Sequence, residues 1–106
     1  MEALASAKAF VEAYTKAGFK DPYAAYGAYA YDAANAIIRA LKTSLASASD
    51  ASAARQATIT ALASVTFDGA SGKIGFDQYG DAVAKVLTVY TVQGGKWVAK
   101  KTGELT

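Results

Sequence analysis

The chain has no cysteine and no histidine. Without a thiol there can be no disulfide framework and no thiolate metal site. Without either residue, the common nucleophile–histidine pairs and zinc sites are excluded too. Proline occurs once, at Pro22, and tryptophan once, at Trp97. No apolar run approaches the roughly 20 residues that a membrane-spanning helix needs, even around Ile37-Ile38. A concentrated basic stripe is also missing. The net charge is only +2, and the densest cationic group is Lys96, Lys100 and Lys101 near the end of the chain, a pattern of solvated surface charge rather than of nucleic-acid binding.

What is present in quantity is alanine, about a quarter of the 106 residues. A chain of this length is one domain or less. Alanine buries little area, so the core must rest on Phe, Tyr, Leu, Ile, Val and Trp97. At about 25 cal/mol per Å² of apolar surface this leaves a thin margin over chain entropy. The expectation is marginal stability, or stability taken from a partner surface.

Residues 2–17 place Leu4, Ala7, Phe10, Val11 and Tyr14 on one face of a helix, which Gly18 stops. Lys20-Asp21-Pro22 is a turn, since proline pushes the preceding residue out of the helical region. Tyr23 to Tyr29 alternates large and small side chains and reads as a buried strand. Residues 30–45 then form a helix with Ala33, Ala34, Ile37, Ile38 and Leu41 on one face. Ser49 or Asp50 is placed to cap a third helix, about 51–64, with Ile59 and Leu62 facing inward. Residues 67–72 read as a glycine-rich loop and Lys73 to Asp77 as a strand. Val83 to Val92 is a longer strand, which Gln93-Gly94-Gly95-Lys96 turns back into Trp97-Val98-Ala99. The order is α-β-α-α followed by short β elements, an α/β layout with a small mixed sheet and a C-terminal hairpin.

Catalytic constellations do not assemble from these residues, and neither enzyme activity nor a cofactor is expected. Asp68, Asp77 and Asp81 could crowd one end of a hairpin, but their spacing is not that of a calcium loop and no glutamate closes it; turn carboxylates are the ordinary reading. Gly69-Ala70-Ser71-Gly72-Lys73 lacks the insert of a phosphate loop, and Ile74 stands where Ser or Thr is required.

The densest signal is aromatic. Four of the seven tyrosines fall within nine positions, in Tyr23-Ala24-Ala25-Tyr26-Gly27-Ala28-Tyr29-Ala30-Tyr31-Asp32-Ala33. This segment resembles the YG-x-YAYDA signature near the C-terminal end of type I periplasmic binding proteins, the amino-acid receptors of ABC transporters related to the leucine/isoleucine/valine-binding protein. Phe10-x-x-x-Tyr14 followed by Pro22 is similar to the family's preceding helix and turn. Phe67-Asp68-Gly69-x-x-Gly72-x-Ile74-x-Phe76-Asp77-x-x-Gly80-Asp81 is similar to its hairpin region. Val89-Tyr90-x-Val92 with Gly95-Lys96-Trp97-Val98 resembles its closing strands.

The resemblance runs along nearly the whole chain and implies a fold: part of one lobe of a two-lobed α/β receptor. Residues 1–106 are accordingly expected to be a C-terminal fragment of a longer, signal-bearing parent, periplasmic or anchored outside a membrane. The implied ligand is an amino acid or similar small carboxylate, and the implied partners are the membrane subunits of an ABC importer. By the same resemblance Tyr26, six residues before Asp32, is the aromatic wall against the ligand, and Tyr29 is a second candidate; the alternative is a core or interface tyrosine at Tyr26 and lobe packing at Tyr29. Tyr31 and Asp32 are expected to orient the helix start. The other class of function is a structural or interaction module, a fragment or engineered half that folds by pairing with itself or a partner and binds no ligand of its own.

Overall fold

The computed structural model describes residues 5–24 and 26–104. Glu2 and Leu4, assigned by the sequence to the first helix, and Ala25 within the tyrosine segment lie outside the described residues. A single turn of 3-10 helix (Ala5–Ala7) leads into α1 (Lys8–Ala17). Gly18 ends α1 in the left-handed conformation at φ 66°, with its N–H donating to the Thr15 carbonyl, so the glycine stop acts as expected.

The strand expected over Tyr23–Tyr29 does not form. Residues 22–24 have no regular structure, and α2 begins at Gly27 and runs to Ser44. Alanine is the strongest helix former, and this segment offers no neighbouring strand to reward an extended backbone. Tyr26 and Tyr29 are three apart, which is as much a helical spacing as an alternating one.

The buried side of α2 also differs from expectation. Ala28, Asp32, Ala36, Ala40 and Ser44 recur every fourth residue and are all buried, whereas Ile37 and Ile38, expected in the core, are each 49% exposed. Small residues on this stripe let α3 (Ala51–Ala63) approach closely. Ser44 and Thr58 share a hydroxyl–hydroxyl hydrogen bond of 2.7 Å, and Thr58 also donates to the Ala54 carbonyl. Ile59 therefore points outward, contrary to expectation, and is largely exposed. Asp50 caps α3 as the sequence indicated: its Oδ1 accepts from the Ala53 N–H at 2.9 Å. Hydrogen bonds from the Ala53 N–H first, then from the Ser52 N–H and the Ser49 side chain, hold its carboxyl below the ordinary value of 3.8.

Residues 67–72, read as a loop from composition, fold instead as a tight antiparallel pair. β1 (Phe67–Gly69) pairs with β2 (Gly72–Ile74), Phe67 opposite Ile74, in line with the hairpin region of the resemblance. Asp77 then organises a turn, accepting from the N–H groups of Tyr79 and Asp81. β3 (Val86–Gln93) and β4 (Lys96–Glu104) form a second antiparallel pair around Gly94 and Gly95, at φ 56° and 75°. Both strands are offset from the sequence reading, starting later in β3 and running longer in β4. The strands make two separate antiparallel pairs rather than one mixed sheet.

Among the described elements, β3 and β4 pack chiefly against each other. The radius of gyration is 16.7 Å, against about 13 Å for a compact chain of this length. Trp97 is 75% exposed at the hairpin.

Candidate functional site

The four clustered tyrosines divide into two pairs. Tyr23 and Tyr31 turn toward α1 and join a ring cluster with Phe10, at centroid distances of 6.1 and 5.3 Å. Tyr14 extends that cluster to Phe19 at 4.9 Å and donates its hydroxyl hydrogen to the Asp21 carbonyl. Phe10 also lies against Gly27, where a Cβ would meet its ring at 3.4 Å. The approach of α2 to α1 is thus fixed at the first residue of α2.

The other pair faces away. Tyr26, the residue preceding α2, is 79% exposed, and Tyr29, in its first turn, is 53% exposed. Among the described residues neither ring contacts another aromatic side chain. The two sit three residues apart at the start of one helix, so the sequence candidates are brought together. Two phenol rings on a fixed helix start can offer an apolar wall with hydroxyl groups at its margin.

What holds that helix start in place is Asp32. The sequence assigned it to the helix N-terminus; the structure gives it a longer reach. Its carboxylate is 2% exposed and accepts three hydrogen bonds from the β1–β2 turn. The Ala70 N–H donates to Oδ1 at 2.8 Å, and the Ser71 N–H and hydroxyl donate to Oδ2 at 2.7 and 2.6 Å. Ser6 adds a hydrogen bond to the Ala70 carbonyl at 3.1 Å. A Cβ at Gly69 would lie 2.6 Å from the Asp32 carboxyl, so the turn approaches as closely as glycine permits. The F-x-G spacing carried this signal, but its partner 38 residues upstream was not visible in the sequence.

Between α1, α2 and β1 runs a groove of about 550 Å³, lined mainly by Phe10, Tyr14, Phe19, Tyr31, Arg39 and Phe67. Arg39 lies over the Phe67 ring, 4.4 Å from its centroid. Tyr26 and Tyr29 are outside this groove. No group of acidic residues among the described ones is arranged to hold a metal ion. None of the described helices is long and apolar enough to cross a membrane.

A receptor lobe is the class of protein that this arrangement of helices, latch and closing hairpin fits. The chain belongs to the receptor family ligand-binding region, the type I periplasmic-binding-protein group, whose family model matches residues 5–95. In structure it is similar to a leucine-binding protein, LivK, from Thermotoga maritima, with a TM-score of 0.69 and 30% identity over 94% of this chain. That match spans 27% of the Thermotoga protein, so the chain corresponds to about a quarter of its length. No curated protein matches the chain.

Proposed function

We propose that this chain contributes one wall of an amino-acid-binding cleft, with Tyr26 and Tyr29 against the ligand side chain, in an extracytoplasmic receptor that feeds an ABC importer. The observation that carries this reading is the division of the tyrosines. Tyr23 and Tyr31 make ring contacts with Phe10, although Tyr31 is itself 52% exposed, whereas the pair that the family resemblance singles out makes none among the described residues and lies at a helix start latched by Asp32. Membership of a ligand-binding receptor family and the likeness to a leucine-binding protein support an amino acid or similar small carboxylate as the ligand. The role is binding rather than catalysis, and the parent acts in the periplasm or outside a membrane.

In this mechanism a second lobe closes over the ligand and buries its apolar side chain against the tyrosine pair. Groups that grip the charged end belong to that lobe, so the chain by itself binds free amino acids weakly or not at all. Titration calorimetry of leucine, isoleucine and valine against the isolated chain tests this; micromolar affinity would contradict it. In a complete two-lobed receptor carrying this segment, Tyr26→Ala is expected to weaken ligand binding by about 1–3 kcal/mol. Unchanged affinity would remove Tyr26 from the cleft.

A further inference from the structure

The first turn of α2 has little local support. Tyr26 stands where a capping residue would, its side chain makes no cap hydrogen bond, and the first turn holds no acidic residue. In α3 the same position is Asp50, which caps. A helix start whose N–H groups lack side-chain partners is less firmly held. What ties it locally is a backbone turn, in which the Gly27 N–H donates to the Ala24 carbonyl at 2.9 Å. Tyr26 and Tyr29 sit on this segment. Among the described residues their side chains make neither an aromatic contact nor a hydrogen bond, so the backbone of residues 26–29 decides where the rings stand.

That backbone is anchored one turn further on. Asp32 lies three residues after Tyr29, a neighbouring position on the helix surface, and four after Ala28, which is fully buried between the two tyrosines. Its carboxylate takes all three donors of the β1–β2 turn. The turn is tethered in its own right, because the Ser6 hydroxyl donates to the Ala70 carbonyl. A line of contacts therefore runs from Ser6 through Ala70 and Asp32 to the tyrosine pair. The Ser71 hydroxyl makes the shortest bond in that line, 2.6 Å to Oδ2. A hydrogen bond to a charged oxygen is about twice as strong as one between neutral groups.

We propose that Asp32 and Ser71 are positioning residues for the ligand wall: their hydrogen bond sets where Tyr26 and Tyr29 stand, so the β1–β2 turn tunes ligand affinity through a buried carboxylate. The inference rests on the reading of Tyr26 and Tyr29 as that wall, and it adds a cause for their placement. Ser71→Ala is the informative change. It removes the hydroxyl bond alone and leaves the Ala70 and Ser71 N–H groups on the carboxylate. Ser71→Thr keeps a hydroxyl and is the conservative rescue.

Two measurements test it. In a ¹H–¹⁵N correlation spectrum of the folded chain, Ser71→Ala is expected to move the amide signals of Tyr26, Gly27, Ala28 and Tyr29, and Ser71→Thr to return them. Asp50→Ala lowers stability at the α3 cap and is expected to leave those four signals in place, which a merely stabilising role for Ser71 would also do. If Ser71→Ala unfolds the chain, Ser6→Ala, which frees the Ala70 carbonyl alone, takes its place. Unmoved signals in a folded Ser71→Ala or Ser6→Ala variant, or equal movement in Asp50→Ala, would overturn the proposal. In a complete two-lobed receptor carrying this segment, Ser71→Ala is expected to weaken leucine binding about threefold to tenfold, and to add nothing once Tyr26→Ala and Tyr29→Ala are both present. Leucine affinity lowered by the tyrosine changes but not by Ser71→Ala would overturn the positioning role and leave the wall standing. Affinity untouched by the tyrosine changes would overturn the wall itself, and the proposal with it.

Discussion

In the helical body a single carboxylate reaches across 38 residues of sequence to hold a turn, whereas in the β3–β4 hairpin the paired residues face each other across one tight loop. The first region leaves Ile59 and Leu45 in water but holds the buried residues: Ala28, Ala36, Ala40 and Ala70 are buried, and Asp32 lies among them with its oxygens satisfied. The second leaves Trp97, Val92 and Leu87 largely in water. A two-stranded pair with both faces open is marginal on its own. The difference teaches where cooperativity resides in an alanine-rich chain. Little apolar area is available, so a saturated buried carboxylate and close small-residue packing do what large side chains do elsewhere, and the hairpin has neither.

Breaking the latch should have the largest effect. Asp32→Ala leaves the Ala70 and Ser71 N–H groups without their acceptor in a buried site, and the expected loss is about 3 kcal/mol or more. Urea unfolding followed by circular dichroism measures it; a loss under about 1 kcal/mol would mean the three hydrogen bonds do not hold the body together. Gly69→Ala should cost about 1–3 kcal/mol. Its added Cβ must displace the Asp32 carboxyl 2.6 Å away, since Gly69 is not among the positive-φ glycines. If Gly69→Ala is neutral, the turn is not held tightly against α2.

In the hairpin the expected effects are smaller and local. Gly95→Val puts a branched side chain at φ 75°, costing about 1–2 kcal/mol. Amide exchange should quicken in β3 and β4 while α2 and β1–β2 keep their protection; equal quickening in both regions would erase the distinction between them. The smallest effect is expected at the exposed cap Asp50, whose folded-state carboxyl is held below its ordinary 3.8. The unfolded chain therefore takes up this proton first as pH falls. The stability that the cap adds is complete above 3.8 and is lost as pH drops through the lower folded value. The difference in urea midpoint between the parent chain and Asp50→Ala should be present at neutral pH and vanish in strong acid. A difference that grows in acid would carry the wrong sign.

Local chemistry was legible in the sequence because it acts over a few residues. Gly18 stops α1, Asp50 caps α3, and Gly94-Gly95 turns the long hairpin. Periodicity misled where large residues were taken to mark the core. Ile37, Ile38 and Ile59 suggested inward faces, but the close α2–α3 contact selects Ala, Ser and Thr, which pushes the isoleucines outward. The tyrosine segment misled for a related reason, since its large-small alternation fits a strand while its alanines favour a helix. Tyr26 and Tyr29 were singled out by family resemblance. Their separation from Tyr23 and Tyr31 depends on α1, which no local pattern records. Asp32 was seen, but its partners lie too far along the chain to be found by spacing.

Native-state hydrogen exchange tests the central claim most directly. The expected result is that the Ala70 and Ser71 amides, which donate to Asp32, exchange among the slowest with the middle of α2, while those of β3 and β4 exchange far faster. Protection in the hairpin equal to that of the latch would contradict the account, because the chain would then be one cooperative unit.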